Sequence, residues 1–288
     1  MVGGFTRPIL TISRTYRNNT IMPGSATLFF VNDDGYAITT KHVVQSLMMS
    51  DQVNENYRKF KSALDEAPAN RRKAMLHMLE KEYGYKPGVL IQQKSTFVDC
   101  VVGGSGFTCI THPEYDLAVI RFNDPEEMRY EGHAVFARDG SYAEPGDFLC
   151  RIGFPFPEFT NFAYDEERDD IVWTQEGRVS TPRFPIDGMM TRQIADSNGT
   201  IFGIEMSTPG LRGQSGGPLF DEDGIIYGMQ FATKHLHLGF DIIDMKIQSG
   251  GMERTVSNQP FLHVGHCIYV EVIKDFLREK DIEFFEEE

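Results

Sequence analysis

The sequence predicts an all-β protein with a helical insert in its first half. Short runs of β-branched and aromatic residues recur along most of the chain, and Gly, Pro, Asn or Asp separate them. Helix-forming residues are concentrated between residues 51 and 83 and again at the C-terminal end. Many short strands of this kind are typical of closed barrels or sandwiches.

The elements follow in chain order. The stretch "SATLFFVNDDGYAITTKHVVQ", residues 25–45, predicts a hairpin that turns at "NDDG", with a strand ending near His42. Residues 51–83 predict two helices, with Pro68 in a first helical turn and Gly84 as a stop. The end, "EVIKDFLREKDIEFFEEE", predicts a helix and an acidic tail. Further predicted strands cover 96–102, 107–111, 117–122, 147–152, 171–180, 200–206, 218–220, 225–232 and 266–270.

Turn residues and charges cluster between residues 123 and 146, so we place a domain boundary there. The first predicted unit is an N-terminal β-barrel, residues 1–135, with the helical insert at about 51–88. The second is a C-terminal β-barrel, residues 136–288, which carries the terminal helix and the acidic tail.

Composition narrows the partners and the compartment. The net charge of −14 repels nucleic acid and anionic lipid, so we expect neither as a partner. The start of the chain lacks the pattern of a secretory signal, and no apolar run approaches the ~20 residues that span a bilayer, so we expect a cytoplasmic protein. The four cysteines lack CxxC spacing. Cys100 and Cys109 would face each other if residues 103–106 form a hairpin turn, and both a disulfide and two thiols remain open.

The stretch "LRGQSGGPLF", residues 211–220, suggests a nucleophilic serine. A serine hydroxyl needs a base to take its proton, and the oxyanion formed on attack needs hydrogen-bond donors. The glycines around Ser215 allow a tight turn in which the amides of Gly213 and Ser215 form an oxyanion hole. An ordinary glycine-rich turn between strands is the alternative.

His42 and Asp116 are the candidate base and orienting acid. His42 follows the apolar strand "YAITT", and Asp116 opens the apolar run in "YDLAVIRF", where a buried carboxylate needs a partner. Taken singly, each also fits a structural histidine or a turn-capping aspartate. The chain order His42, Asp116, Ser215 differs from that of subtilisins and of α/β-hydrolases. Pro218 and the strand after it also oppose an esterase or lipase elbow.

These stretches, with "LCRIGFPF" and "EGRVST", resemble trypsin-like (chymotrypsin-fold) serine proteases. The similarity is greatest to the protease domain of HtrA-type bacterial enzymes, without a PDZ module. The resemblance implies two six-stranded antiparallel β-barrels of the chymotrypsin type, with a catalytic triad in the cleft between them. It implies a serine endopeptidase in which Ser215 attacks the scissile carbonyl, His42 acts as general base, and Asp116 orients the imidazole.

The resemblance also suggests a specificity pocket beside Ser215. Pro209 stands where digestive trypsins carry an acid, which disfavours cleavage after Arg or Lys. We expect a modest, mainly apolar pocket to which Gln230 or His266 adds a polar preference. The predicted lining residues are Pro209, Met229, Gln230, Phe231, Ala232 and His266.

No cofactor or metal is expected. His235, His237, His263, His266 and Cys267 are near one another in sequence, but their spacing matches no zinc template. The insert leaves the chain soon after His42, so it should lie on the leaving-group side of the cleft. It is either a lid or docking element for a regulatory partner, or a surface hairpin. The alternative to a protease acting on protein or peptide substrates is a catalytically silent protease-fold binding or scaffold protein.

Overall fold

The computed structural model describes residues 2–237, 242–257 and 262–288. The helices are α1 Lys41–Asp65, α2 Arg72–Tyr83 and α3 Val270–Glu279. The strands, in chain order, are β1 Thr6–Thr15, β2 Met22–Phe30, β3 Tyr36–Thr39, β4 Leu90–Phe97, β5 Val101–Val102, β6 Gly106–Thr111, β7 Ala118–Asn123, β8 Glu127–Met128, β9 Val135–Phe136, β10 Phe148–Gly153, β11 Phe162–Asp165, β12 Asp170–Trp173, β13 Phe184–Ala195, β14 Ile201–Met206, β15 Pro218–Phe220, β16 Ile226–Leu236, β17 Met245–Ser249, β18 Met252–Val256, β19 Leu262–Tyr269 and β20 Phe285–Glu286.

The first half of the chain forms a six-stranded antiparallel sheet in the order β4-β1-β2-β3-β7-β6. The hairpin predicted at "NDDG" joins β2 to β3. Strand β1 was not predicted, because the apolar residues of this strand do not alternate simply with polar ones. Ile9 packs into the main core, whereas Leu10 and Ile12 belong to a second cluster with Phe159 and Ile171.

The second half forms a closed barrel. Its six antiparallel strands follow the order β15-β10-β13-β14-β19-β16, and the pairing of β15 with β16 closes the ring. Strands β9 and β20 extend this sheet by parallel pairing at its outer edge. The predicted all-β fold with two six-stranded antiparallel units is therefore confirmed, and the first unit is an open half-barrel.

Strand β13 was also missed, and the predicted strand 171–180 stops at Trp173. Within β13, Gly188 serves packing, because a Cβ at that position would lie 2.5 Å from Thr208 Oγ1. The glycine lets β13 approach the segment that precedes Ser215.

The helical insert begins earlier than predicted. Helix α1 starts at Lys41 rather than near residue 51, so His42 lies in its first turn instead of at a strand end. Helix α2 ends where predicted, since Gly84 takes φ 69° as its C-cap. The two helices cover a separate aromatic cluster composed of Tyr16, Tyr57, Phe60, Leu79, Tyr85 and Ile91.

A buried ion pair fixes α1 to both halves of the chain. Arg14 of β1 is 2% exposed, and its Nη2 lies 2.6 Å from Asp169 Oδ1 in the turn between β11 and β12. Tyr57 of α1 and Tyr164 of β11 each donate to that carboxylate at 2.7 Å. Burial alone would raise the pKa of Asp169, but the bonds from Tyr57, Tyr164 and Arg14 outweigh it and hold the pKa below its usual value.

All four cysteines are free. The hairpin that would have paired Cys100 with Cys109 does not form, because β5 pairs with β8 whereas β6 pairs with β7. No helix within the described ranges is long and apolar enough to cross a membrane.

Candidate active site

The two halves meet at a cleft of about 300 Å³ that contains both His42 and Ser215. The first sheet contributes one wall, α1 a second, and the loop before β15 a third. The lining residues are Ile9, Thr11, Gly24, Ser25, Ala26, His42, Val43, Ser46, Leu47, Arg212, Gly213 and Ser215.

His42 and Asp116 are joined by two hydrogen bonds. The ring Nδ1 of His42 lies 2.7 Å from Asp116 Oδ2, and the backbone N–H of His42 donates to Asp116 Oδ1 at 2.9 Å. Asp116 stands two residues before β7, which places its carboxylate at the N-terminus of α1. The amides there lack partners within the helix and favour a negative charge. Asp116 therefore orients the imidazole and also caps the helix that carries it.

The charge of Asp116 is stabilised despite its partial burial. Burial alone would raise the pKa of this carboxyl group. Hydrogen bonds from the ring and amide of His42 and from the amide of Lys41 outweigh that effect, so the pKa lies below its usual value. Asp116 is thus a carboxylate at neutral pH, and a carboxylate can accept a hydrogen bond from the Nδ1–H of the His42 ring.

The loop around Ser215 is fixed by backbone contacts from the first sheet. Thr27 of β2 donates its amide to Ser215 O at 2.9 Å and its hydroxyl to Gly213 O at 2.7 Å. Gly213 and Gly216 take φ values of 93° and 87°. A Cβ at Gly216 would collide with Thr27 O, and one at Gly213 would collide with Phe154 O. Gly213 is therefore required by the close approach of the segment after β10, and Gly216 by the close approach of β2 from the first half.

The amides of Gly213 and Ser215 point to no acceptor within the described part of the chain. Their neighbours differ, since Gly216 N donates to Gln230 O at 2.9 Å and Gly217 N donates to Gln214 O at 2.8 Å. Two free amides beside a serine hydroxyl can bind an oxyanion. Among the described atoms no hydrogen bond joins Ser215 to His42, although both side chains line the same cleft.

A second cavity of about 500 Å³ adjoins Ser215 on the other side. Four of the predicted pocket residues line it, namely Pro209, Gln230, Phe231 and Ala232. Met229 is buried in the core, and His266 does not line the cavity but lies 3.3 Å from Glu205. The remaining lining residues are Gly210, Leu211, Arg212, Ser215, Thr233, His235 and His263. Strand register brings two of these residues together, because His235 of β16 pairs with His263 of β19.

Gln230 does not have a free amide to offer this cavity. Its Oε1 accepts from Arg151 Nη1 at 2.5 Å, and its Nε2 donates to Ala232 O at 2.6 Å and to His266 O at 3.2 Å. The predicted direct polar preference of Gln230 therefore needs one of these bonds to be replaced. Across the described ranges, no three His, Cys, Asp or Glu side chains form a group that could hold a metal ion.

The chain combines two six-stranded antiparallel β-units with a cleft that holds His42 and Ser215, and Asp116 is bonded to that histidine. The family model for the trypsin-like peptidase domain matches residues 25–229, and the chain belongs to that family of serine proteases. No curated protein matches the chain.

Two solved structures of a variant of the HtrA-type protease AlgW are similar to the chain. The one with a tripeptide has 13% identity and a TM-score of 0.43, and the match covers 94% of this chain and 59% of that one. The one with a decapeptide has 12% identity and a TM-score of 0.45, and the match covers 97% and 65%. The chain thus spans less than two thirds of the length of either structure.

Proposed function

We propose that the chain is a serine endopeptidase that forms an acyl-enzyme on Ser215, with His42 as general base and Asp116 as the orienting acid. The paired contact of Asp116 with the ring and amide of His42, at 2.7 Å and 2.9 Å, carries the proposal. The shared cleft of His42 and Ser215 supports it, as do the two unpaired amides beside the serine.

The proposed reaction follows from these positions. His42 takes the proton of Ser215 Oγ through Nε2 while Oγ forms a bond to the scissile carbonyl carbon. The negative charge moves to the carbonyl oxygen, which accepts from the amides of Gly213 and Ser215. The imidazolium then protonates the leaving amine. In the second half of the reaction His42 takes a proton from the water that attacks the acyl carbon, and it returns this proton to Ser215 Oγ as the acyl bond breaks.

A fluorophosphonate probe tests the proposal, because it labels only an activated serine. We expect labelling at Ser215 in the unaltered protein and none in Ser215→Ala or His42→Ala. Ser105→Ala is the matched control, since the hydroxyl of this exposed serine donates to Asp124 and the residue lies outside the cleft. Labelling that persists in His42→Ala would contradict the proposed base.

The alternative is a catalytically silent binding protein on the same fold. It predicts a folded protein that binds peptides in the cleft but is not labelled at Ser215. Unchanged circular dichroism together with an unlabelled serine would favour this alternative.

We also propose that the helical insert lies next to the scissile bond. Val43, Ser46 and Leu47 of α1 line the cleft that holds His42 and Ser215, so the insert forms part of the leaving-group side. A regulatory partner docking on the insert stays a prediction. Met48 and Met49, each 63% exposed beside this wall, are the positions at which Met→Ser substitutions test it by their effect on turnover.

A further inference from the structure

A buried cation stands behind the second cavity. Arg151 of β10 is 0% exposed. Its Nη1 donates to Gln230 Oε1 at 2.5 Å, and its Nη2 donates to Thr208 O at 2.9 Å and to Thr208 Oγ1 at 2.5 Å. Its buried Nε has no hydrogen-bond partner among the described residues. The guanidinium is therefore desolvated and bonded only to neutral groups.

No carboxylate of the described chain forms an ion pair with Arg151. Glu205, a buried carboxylate on β14, is occupied elsewhere, by Arg192 at 2.7 Å and by His266 at 3.3 Å. Burial lowers the pKa of Arg151, because loss of water disfavours the charged form of the guanidinium. A buried charge without an opposite partner is costly, so the site favours an anion that can approach it.

The cavity beside Ser215 is lined by residues that contact or adjoin the partners of this cation. Gln230, bonded to Arg151, lines that cavity, and so does Pro209, which follows Thr208 in sequence. A Cβ at Gly265 would collide with Arg151 Nη1, so the guanidinium fills the space behind β19. Gln230 thus connects the guanidinium to the cavity lining.

Arg151 also fixes which end of the Gln230 amide faces outward. Because the guanidinium can only donate, it holds Oε1 inward, and the donor Nε2 turns away from it. Nε2 packs against Gly210, where a Cβ would overlap the amide, and Gly210 lines the cavity. The Nε2 donor therefore lies next to the cavity lining, with its two protons bonded to Ala232 O and His266 O.

The rest of the lining includes one guanidinium, that of Arg212, and none of its described members is acidic. His235 and His263 also line it, and their Nδ1 atoms lie 2.5 Å apart. The absence of acidic residues from the described lining is notable in a chain whose 42 acidic residues outnumber its 28 Lys and Arg.

We propose that this cavity binds the side chain of the residue on the acyl side of the scissile bond, that this residue is Asp or Glu, and that Arg151 determines the preference through Gln230. The proposal rests on the endopeptidase function above. The substrate carboxylate would accept the Nε2–H hydrogen bond that His266 O now accepts over 3.2 Å, the longer of the two bonds. It replaces the mainly apolar pocket expected from sequence.

Two peptides that differ only by Glu or Gln at this position give a direct test. Glu and Gln have the same shape, so the ratio of their kcat/KM values reports charge recognition. We expect the unaltered protein to favour Glu by about tenfold or more. Arg151→Met should bring the ratio close to one.

Gln230→Glu provides a second variant in case Arg151→Met fails to fold. It places a carboxylate oxygen against the guanidinium, so it should abolish the preference for Glu, and circular dichroism checks that the variant is folded. Arg168→Met is the matched control, because it removes an equal charge from a side chain that is 79% exposed on the β11–β12 hairpin. It should leave the ratio unchanged.

The failures are distinguishable. A protein that the fluorophosphonate labels at Ser215 but that cleaves Gln at least as well as Glu overturns this inference and leaves the endopeptidase function intact. A preference for Glu that survives in both Arg151→Met and Gln230→Glu overturns the role of Arg151. Absence of labelling overturns the proposed function itself.

Discussion

Asp169→Asn should destabilise the protein strongly for a single change in a turn. The variant keeps the shape of the side chain but removes the charge that faces Arg14, whose exposed fraction is 2%. Breaking a buried ion pair by removing one partner typically costs about 3–5 kcal/mol. Arg14 keeps neutral acceptors in Gln92 and in the backbone carbonyl of Asp169, and Asp169 is itself 31% exposed, so we expect about 2–4 kcal/mol here.

Thermal unfolding at neutral pH measures this effect. A loss of about 1 kcal/mol lowers Tm by roughly 2 °C in a chain of this size, so Asp169→Asn should lower Tm by about 4–8 °C. Asp165→Asn is the control, since its partner Arg168 is exposed and lies 3.7 Å away. We expect less than about 0.5 kcal/mol for the control.

The pH dependence has a definite sign. The pKa of Asp169 is lower in the folded protein than in the unfolded chain. Its stabilisation is therefore present above the unfolded pKa of about 3.9 and is lost as the pH falls through the folded pKa. The Tm difference between the unaltered protein and Asp169→Asn should close below that range. A shift under about 1 °C at neutral pH, or a difference that persists in strong acid, would refute the reasoning.

Three further predictions concern the cleft and the thiols. Asp116→Asn should lower kcat by about 10⁴-fold with little change in KM, because an amide facing His42 Nδ1 forces the proton onto Nε2. Steady-state kinetics on a cleaved peptide measures the effect, and a loss under tenfold would contradict the proposed role. Thr27→Val removes the hydroxyl that holds Gly213 O and should lower kcat about 10- to 100-fold, whereas a change confined to KM would show that the oxyanion amides do not depend on Thr27. Burial raises the pKa of Cys109 to about 11 and that of Cys267 to about 12, so neither thiol should be alkylated by iodoacetamide at pH 8 in the folded protein. Mass spectrometry checks this, and the denatured chain is the control that reacts fully.

The sequence predicted the parts of the fold that local chemistry dictates. The turn at "NDDG", the stop at Gly84 and the apolar run after Asp116 have signals within a few residues, and each lies where expected. Strands β1 and β13 lacked such signals. Leu10 and Ile12 face a cluster contributed by the second half of the chain, and Gly188 is a packing glycine rather than a turn. Both facts depend on residues far away in sequence.

The candidate site likewise has features that the sequence predicted and features that it did not. The residue types His, Asp and Ser and their order were readable, because their chemistry is carried by single side chains. The start of α1 at Lys41 was not, since an aspartate 74 positions after His42 helps to cap the helix. Arg151 also escaped notice, because nothing in "LCRIGFPF" shows that this arginine is buried without a carboxylate.

Helix α1 connects His42 to the second half of the chain, which carries Ser215. Its 25 residues extend about 37 Å, with His42 at one end. About four turns after His42, Tyr57 donates to Asp169 in the β11–β12 turn, and about one turn further on Lys61 donates to Arg168 O. A tilt of about 5° pivoting at Tyr57 would displace the imidazole by about 2 Å, because about 22 Å of helix separates the two residues. In the proposed mechanism an error of about 1 Å can reduce turnover about a hundredfold, so the position of His42 relative to Ser215 depends on contacts well outside the cleft.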